Sequence, residues 1–109
     1  MPEHEVKAAL DRKLMSALRK EWADLNFQLF GNKLRPPVLR LLEGPSSPWG
    51  QWRSDGRELG IARRLIMKHS WDRVIEVLKH EMAHQFVGER LAVDETAHGP
   101  VFQAICADR

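Results

Sequence analysis

The run His80-Glu81-Met82-Ala83-His84 brings two imidazoles and a carboxylate together in a short stretch of chain. Imidazole is the commonest metal ligand, and a carboxylate beside a metal can take a proton from water. The spacing suits that chemistry on a helix, where each residue turns by about 100°. On such a wheel His84 falls about 40° from His80 and Glu81 about 100° from it. Arg73, Glu76, Val77 and Val87 lie within roughly 60° of His80, whereas Trp71, Val74, Ile75, Leu78, Met82 and Phe86 gather about 120–240° away. One helix from Asp72 to about Val87 is therefore expected, with an apolar face for a core and an opposite face for a metal. This is the H-E-x-x-H pattern, in which two histidines grip zinc and the glutamate works on a water. A shuffled chain of this composition would contain the pattern about once in seventy, so its context has to support it.

Two imidazoles leave a catalytic zinc one protein ligand short. Downstream the chain offers Asp94, Glu95 and His98. With a third ligand in place, zinc would lower the pKa of a bound water to about 7, and Glu81 would accept its proton and pass it to a leaving amine. Val77 and Val87 would keep the face partly dry, and Glu76, one turn before His80, is either an orienting partner for that ring or a solvated carboxylate. His4 and His69 match no ligand spacing.

The elements that must position this helix can be read in turn. Glu3 to Phe30 carries an apolar stripe of Val6, Leu10, Leu14, Leu18, Trp22, Leu25 and Leu29, with no Gly or Pro inside, which predicts a long helix over a core. Gly31-Asn32 suits a left-handed stop. Pro36-Pro37 forces an extended approach to a strand at Val38-Leu42. Two short strands, Trp49 to Arg53 and Glu58 to Ala62, are joined through Ser54-Asp55-Gly56-Arg57, and Asp-Gly between such runs signals a hairpin. The glycines Gly50 and Gly60 invite close approach by something else. Arg63 to His69 reads as a short connector, Ser70 as the cap of the histidine helix and Gly88 as its end. His98-Gly99-Pro100 opens a last helix towards Ala107. The fold class expected is α+β, a small zincin-like domain with a small, mainly antiparallel sheet in which Glu58–Ala62 serves as an exposed edge.

The 109 residues suffice for one domain, 1–109, burying roughly two-thirds of its unfolded surface. A single cysteine, Cys106, excludes an internal disulfide, and no stretch approaches the ~18 apolar residues of a membrane span, so a soluble, cytoplasmic protein is expected. The net charge of +2 is uneven: between Lys33 and Lys79 ten Lys/Arg face five Asp/Glu. That basic middle could attract a polyanion, and Trp49 and Trp52 beside Arg53 and Arg57 could stack on bases, single-stranded DNA being the favoured candidate. The plainer expectation is tryptophans in a core and charges in water.

The chain resembles a known family. Leu25-Asn26-Phe27-Gln28-Leu29-Phe30-Gly31-Asn32-Lys33-Leu34 is similar to its helix end entering the first strand. Glu76 to His84, followed by Ala97-His98-Gly99-Pro100-Val101-Phe102, is similar to its metal site. These are the SprT-like zinc metallopeptidases, which include the Spartan proteases that digest proteins crosslinked to DNA. The resemblance implies a zinc endopeptidase in which His80, His84 and His98 bind Zn2+ and Glu81 is the catalytic base. It extends to protein or peptide substrates, including ones held on DNA in crosslink repair. His98 is also preferred on physical grounds, since Gly99-Pro100 holds it at a rigid helix start whose positive end keeps an imidazole neutral. Many members continue into a cysteine-rich segment, for which Cys106 is no substitute. The metzincin pattern is excluded, since Val87 and Arg90 stand where it needs Gly and His. A monomeric peptidase is expected, with a nucleic-acid-associated module of structural or vestigial zinc as the competing function.

Overall fold

A computed structural model describes residues 3–91 and 99–108. The uninterrupted stripe at the start gives helix α1, Glu3–Phe30. Gly31 and Asn32 both take φ of 60°, the left-handed stop their types favour. Asn26, buried, then locks the exit: its amide donates to the Leu34 carbonyl at 2.9 Å and accepts from the Leu34 N–H at 3.1 Å. From Leu18 onward the stripe is core, with Leu18, Trp22 and Leu25 buried. Its first two members are not: Val6 and Leu10 are exposed, because the helix starts well before anything packs beneath it.

Three strands follow, β1 (Val38–Leu42), β2 (Gly50–Arg53) and β3 (Glu58–Ala62), with α2 (Arg63–Lys68) directly after the last. β2 and β3 form the expected antiparallel hairpin, with Gly56 and Arg57 at positive φ in its turn. The sheet is mixed, however, not mainly antiparallel: β1 pairs in parallel with β3 over five residues, and the order is β1-β3-β2. The cause is the 43–49 loop, which carries the chain past the place next to β1 so that the hairpin's second strand fills it. β3 is consequently the centre and not an edge. Leu59, Ile61 and Ala62 are wholly buried, as a strand paired on both sides should be. The edge beside the histidine helix is β2.

Alternation sets the two faces of the sheet. Leu39, Leu41, Leu59, Ile61, Gly50 and Trp52 share the inner face, where α1 and α3 (Trp71–Phe86) lie. Arg40, Gln51, Arg53 and Glu58 share the outer one, and Leu42 folds across Gly60 there. A Cβ on Gly60 would stand 2.6 Å from a Leu42 methyl carbon, so its bareness makes room for that side chain. The largest buried side chains, among them Leu18, Leu59, Ile61, Leu65, Leu78 and Met82, each contribute about 1.5–3 kcal/mol from leaving water.

α3 is capped by Ser70, whose hydroxyl accepts from the Arg73 N–H at 3.3 Å, and Asp72 sits in its positive first turn. Gly88 does not end the helical path. The chain widens instead into a π-helical turn, Val87–Leu91, and a polar network explains it. Gln85, fully buried, donates to the Arg35 carbonyl at 2.9 Å and to Glu89 at 3.0 Å, and accepts from the Trp22 indole at 3.4 Å. Glu89 in turn receives Arg57 Nη2 at 2.8 Å, while Arg57 also donates to the Arg35 and Pro36 carbonyls. The wide turn thus holds a carboxylate against the hairpin and the loop before β1. α4, Pro100–Asp108, closes over the end of α3.

Bonding to Arg57, helped by Gln85, holds the Glu89 carboxyl below the usual carboxylate range against the opposing effect of burial. A depressed folded pKa adds stability above the unfolded carboxylate pKa and loses it as pH falls through the folded value. Glu89→Gln should therefore lower unfolding stability by about 1.5–3 kcal/mol at neutral pH. The deficit should shrink on acidification, read from urea midpoints of both proteins at neutral pH and at about pH 3. A deficit independent of pH would remove the ion pair as its cause.

Candidate active site

Helical spacing does for His80 and His84 what it was expected to do. Their rings lie edge to face with centroids 5.2 Å apart on one side of α3, both half-buried. A third ring comes from α4. Phe102 stacks on His84 at 4.1 Å with 18° between planes and meets His80 edge-on at 5.0 Å. Helical side chains lean towards their helix N-terminus, so Phe102 in the first turn of α4 brings that end of the helix to the histidine pair. Phe102 is itself buried, packed with Ala83, Val87 and Ile105. It fixes ring orientation by contact, a role that its residue type did not announce in the sequence.

Glu81 is buried at 7 % exposure, and burial pushes its carboxyl up to about 7. No cation among the described residues offsets this. Such a group costs stability where it stands, so its presence calls for a use other than packing. Beside it runs the edge strand. A Cβ added to Gly50 would come within 2.6 Å of Val77 Cγ1, 2.9 Å of Glu81 Cγ and 3.0 Å of Glu81 Oε2. Glycine is thus what allows the β2 backbone to lie directly against the carboxylate. The close approach that Gly50 suggested is real, and its partner is α3.

A cavity of about 370 Å³ opens at this junction, lined by Trp49, Gly50, Arg73, Glu76, Val77, His80 and Glu81. Trp49 forms its wall under the Arg64 guanidinium, 3.9 Å above the ring, with His69 edge-on at 5.1 Å. Arg64 also donates to the Ser47 carbonyl, so the tryptophan is braced from the loop before β2. Trp52 packs against the core. Trp49 under Arg64, Trp52 against the core and Arg57 bonded to Glu89 thus each have partners within the fold, while both tryptophans stay partly exposed. Glu76 is exposed and lies 3.5 Å from Arg73, which fits a solvated carboxylate. His69 is likewise exposed and away from the histidine pair, beside Trp49.

Among the described residues no group of three or more His, Cys, Asp or Glu is arranged to hold a metal. His98, Asp94 and Glu95 lie outside the described residues, so the third ligand is not placed. The donors that are placed fit a zinc site: two imidazoles close enough to share an ion at bonds of about 2 Å, and a buried carboxylate next to them.

A mixed three-stranded sheet backed by helices, one of which presents paired imidazoles beside a buried carboxylate, defines an α+β protein organised around a single helix face. The chain belongs to the SprT-like family, whose family model matches residues 18–108. No curated protein and no solved structure matches it. The match starts near the point where α1 becomes buried, leaving the exposed first turns of that helix outside it.

Gly50→Ala should cost about 1–3 kcal/mol of stability, because the added methyl overpacks the strand–helix contact. Its nearest obstacle is Val77 Cγ1, so adding Val77→Ala should restore part of the loss. Thermal melts of the two single variants and the double variant measure the coupling, and strict additivity would rule the contact out.

Proposed function

We propose that this protein is a zinc-dependent endopeptidase that hydrolyses peptide bonds with a metal-activated water, His80, His84 and His98 holding Zn2+ and Glu81 acting as the general base. The observation that carries the reading is the buried carboxylate of Glu81, set between an imidazole pair and the open backbone edge of β2. Membership of the SprT-like family is compatible with it. A zinc ion bound there supplies Lewis acidity and makes hydroxide available near neutral pH.

The chain's own groups supply the rest. Burial leaves the Glu81 carboxylate poorly solvated, which raises its affinity for a proton taken from the attacking water. From the same position it can return that proton to the amine as the peptide bond breaks. Among the described residues no strand pairs with the outer side of β2, where an extended peptide can add as a further strand. Main-chain pairing reads few side chains, so unfolded segments are the favoured substrates. Phe102 covers one face of the His84 ring, with Val87 packed beside it in the same apolar cluster.

His98 is the preferred third ligand over Asp94 and Glu95. Phe102 already touches both imidazoles, and His98 stands only four residues before it in the sequence. Gly99, which follows His98, is buried and accepts the Gln103 N–H at 3.0 Å, so the start of α4 is fixed.

The competing reading, a nucleic-acid-associated module with a structural zinc, has less behind it. Arg40, Arg53, Arg57, Arg63 and Arg73 of the basic middle each meet a carboxylate, and Arg64 covers Trp49. Among the described residues, Lys33, Arg35, Lys68 and Lys79 are what remains of it for a phosphate backbone, Lys33 and Arg35 bordering a cavity with Arg57 and Glu89.

Glu81→Gln should keep zinc and lose on the order of 10²- to 10⁴-fold in hydrolysis of an unstructured protein, with or without DNA present. Full activity in that variant would take Glu81 out of the mechanism. His80→Ala and His84→Ala should instead lose the metal, measured by elemental analysis. For the third position, zinc affinity should fall about 10-fold or more in His98→Ala and little in Asp94→Ala or Glu95→Ala. A loss confined to Glu95→Ala would mean a site of two histidines and one carboxylate.

A further inference from the structure

Glu76 and His80 border two cavities. One is the space against β2 already described. The other, about 280 Å³, lies across the helix towards the end of α1 and the outer part of α4. Since the two share Glu76 and His80, they flank those side chains, one on either side of the candidate metal ligand. Their linings differ. The β2 side carries Trp49, Arg73 and Glu81, whereas the α4 side is walled by Leu29, Phe30, Ala83 and Ile105, with Lys79 and Cys106 also in its lining.

We propose that the cavity on the α4 side is a specificity subsite that accepts one aliphatic side chain, of leucine or methionine size, from the peptide substrate. The inference rests on the peptidase reading, because a peptide paired along β2 must continue across His80 to reach the cavity. Its walls are rigid: Phe30 and Ala83 are buried, and Leu29 and Ile105 pack against the core. A preformed apolar hollow of this kind gains from each methylene it removes from water and returns nothing to a substrate charge. Glu76 and Lys79 together leave the lining without net charge, so neither sign of substrate charge is favoured over an aliphatic group. Main-chain pairing on β2 would then supply grip, and this hollow the selectivity that such pairing lacks.

The test uses two peptides that differ only in Leu or Ala at a single position, scanned across the cleavage site. At one position, and one only, Leu should raise kcat/KM by about 10-fold or more over Ala. Cys106, the chain's single cysteine and exposed, reports occupancy independently of hydrolysis. In zinc-loaded Glu81→Gln protein, the Leu peptide should protect Cys106 from iodoacetamide at concentrations where the Ala peptide does not. Cys106→Trp, a change at an exposed site that fills the hollow, should bring the Leu-to-Ala ratio down towards one, with circular dichroism confirming the fold. Ile105→Ala should move the preference towards larger side chains. Equal cleavage and equal protection by the two peptides would overturn the subsite. Selective protection without any hydrolysis by the wild type would uphold the apolar hollow and sink the peptidase reading, so the two failures are distinguishable.

Discussion

The approach of the β2 backbone to α3 at Gly50 is the contact on which the arrangement of this protein turns. With no side chain in the way, the strand lies within van der Waals reach of Val77 and Glu81. Any Cβ would push strand and helix apart, because packed interiors have no spare volume to absorb one. That single contact buries Glu81, sets the spacing between the edge strand and the imidazoles, and shapes the cavity beside them. A strand held farther away would leave the carboxylate in water, with an ordinary affinity for protons and no substrate-facing edge beside it.

The helix that bears the histidines is held at three places by different chemistry. Its apolar side, Val74, Leu78, Met82 and Phe86, enters the core beneath the sheet and α1. Its start is tied to α1 by the Trp71 indole, which donates to Glu21 at 3.1 Å. Its end is held by the buried Gln85 and by Glu89 in the π-helical turn, which reach the loop before β1 and the hairpin arginine. Buried polar groups of this kind are costly when unpaired and directional when satisfied. They hold the end of the helix in one place, next to the imidazole positions and the buried start of α4.

Arginine in this chain is used mostly within the fold. Arg63 is gripped by Asp11 of α1 and Glu43 of the loop after β1, with contacts of 2.6–2.9 Å, and so anchors the otherwise thinly packed first half of α1. The same two carboxyls are drawn below their usual range by that guanidinium. Arg64 braces Trp49, and Arg57 joins the hairpin to the π-helical turn. A linear count of charge marks a basic middle, but in the folded chain much of that charge sits in pairs with carboxylates.

The sequence alone determined the periodic and local features. The α1 stripe, the stop at Gly31-Asn32, the Asp-Gly hairpin, the Ser70 cap and the shared face of His80 and His84 depend on residue type and short spacing, and all are found. What only the tertiary structure decided depends on contacts between distant residues. Strand order is one case, for nothing in the residues of β1 or β3 says that β3 will insert beside β1 in parallel and leave β2 at the edge. The path beyond Phe86 is another: Gly88 is a fair helix terminator by type, yet bonds from Gln85 and Glu89 to residues more than thirty positions away carry the helical path past it. Val6 and Leu10 fit the stripe but find no core to enter. The role of Gly50 was half legible, since a glycine in a strand signals close approach without naming the partner. Phe102 was legible only as part of a resemblance, because a lone phenylalanine in an apolar helix carries no mark of the rings it will meet. Local pattern fixes which face a side chain takes, and only the packed chain fixes what that face will touch.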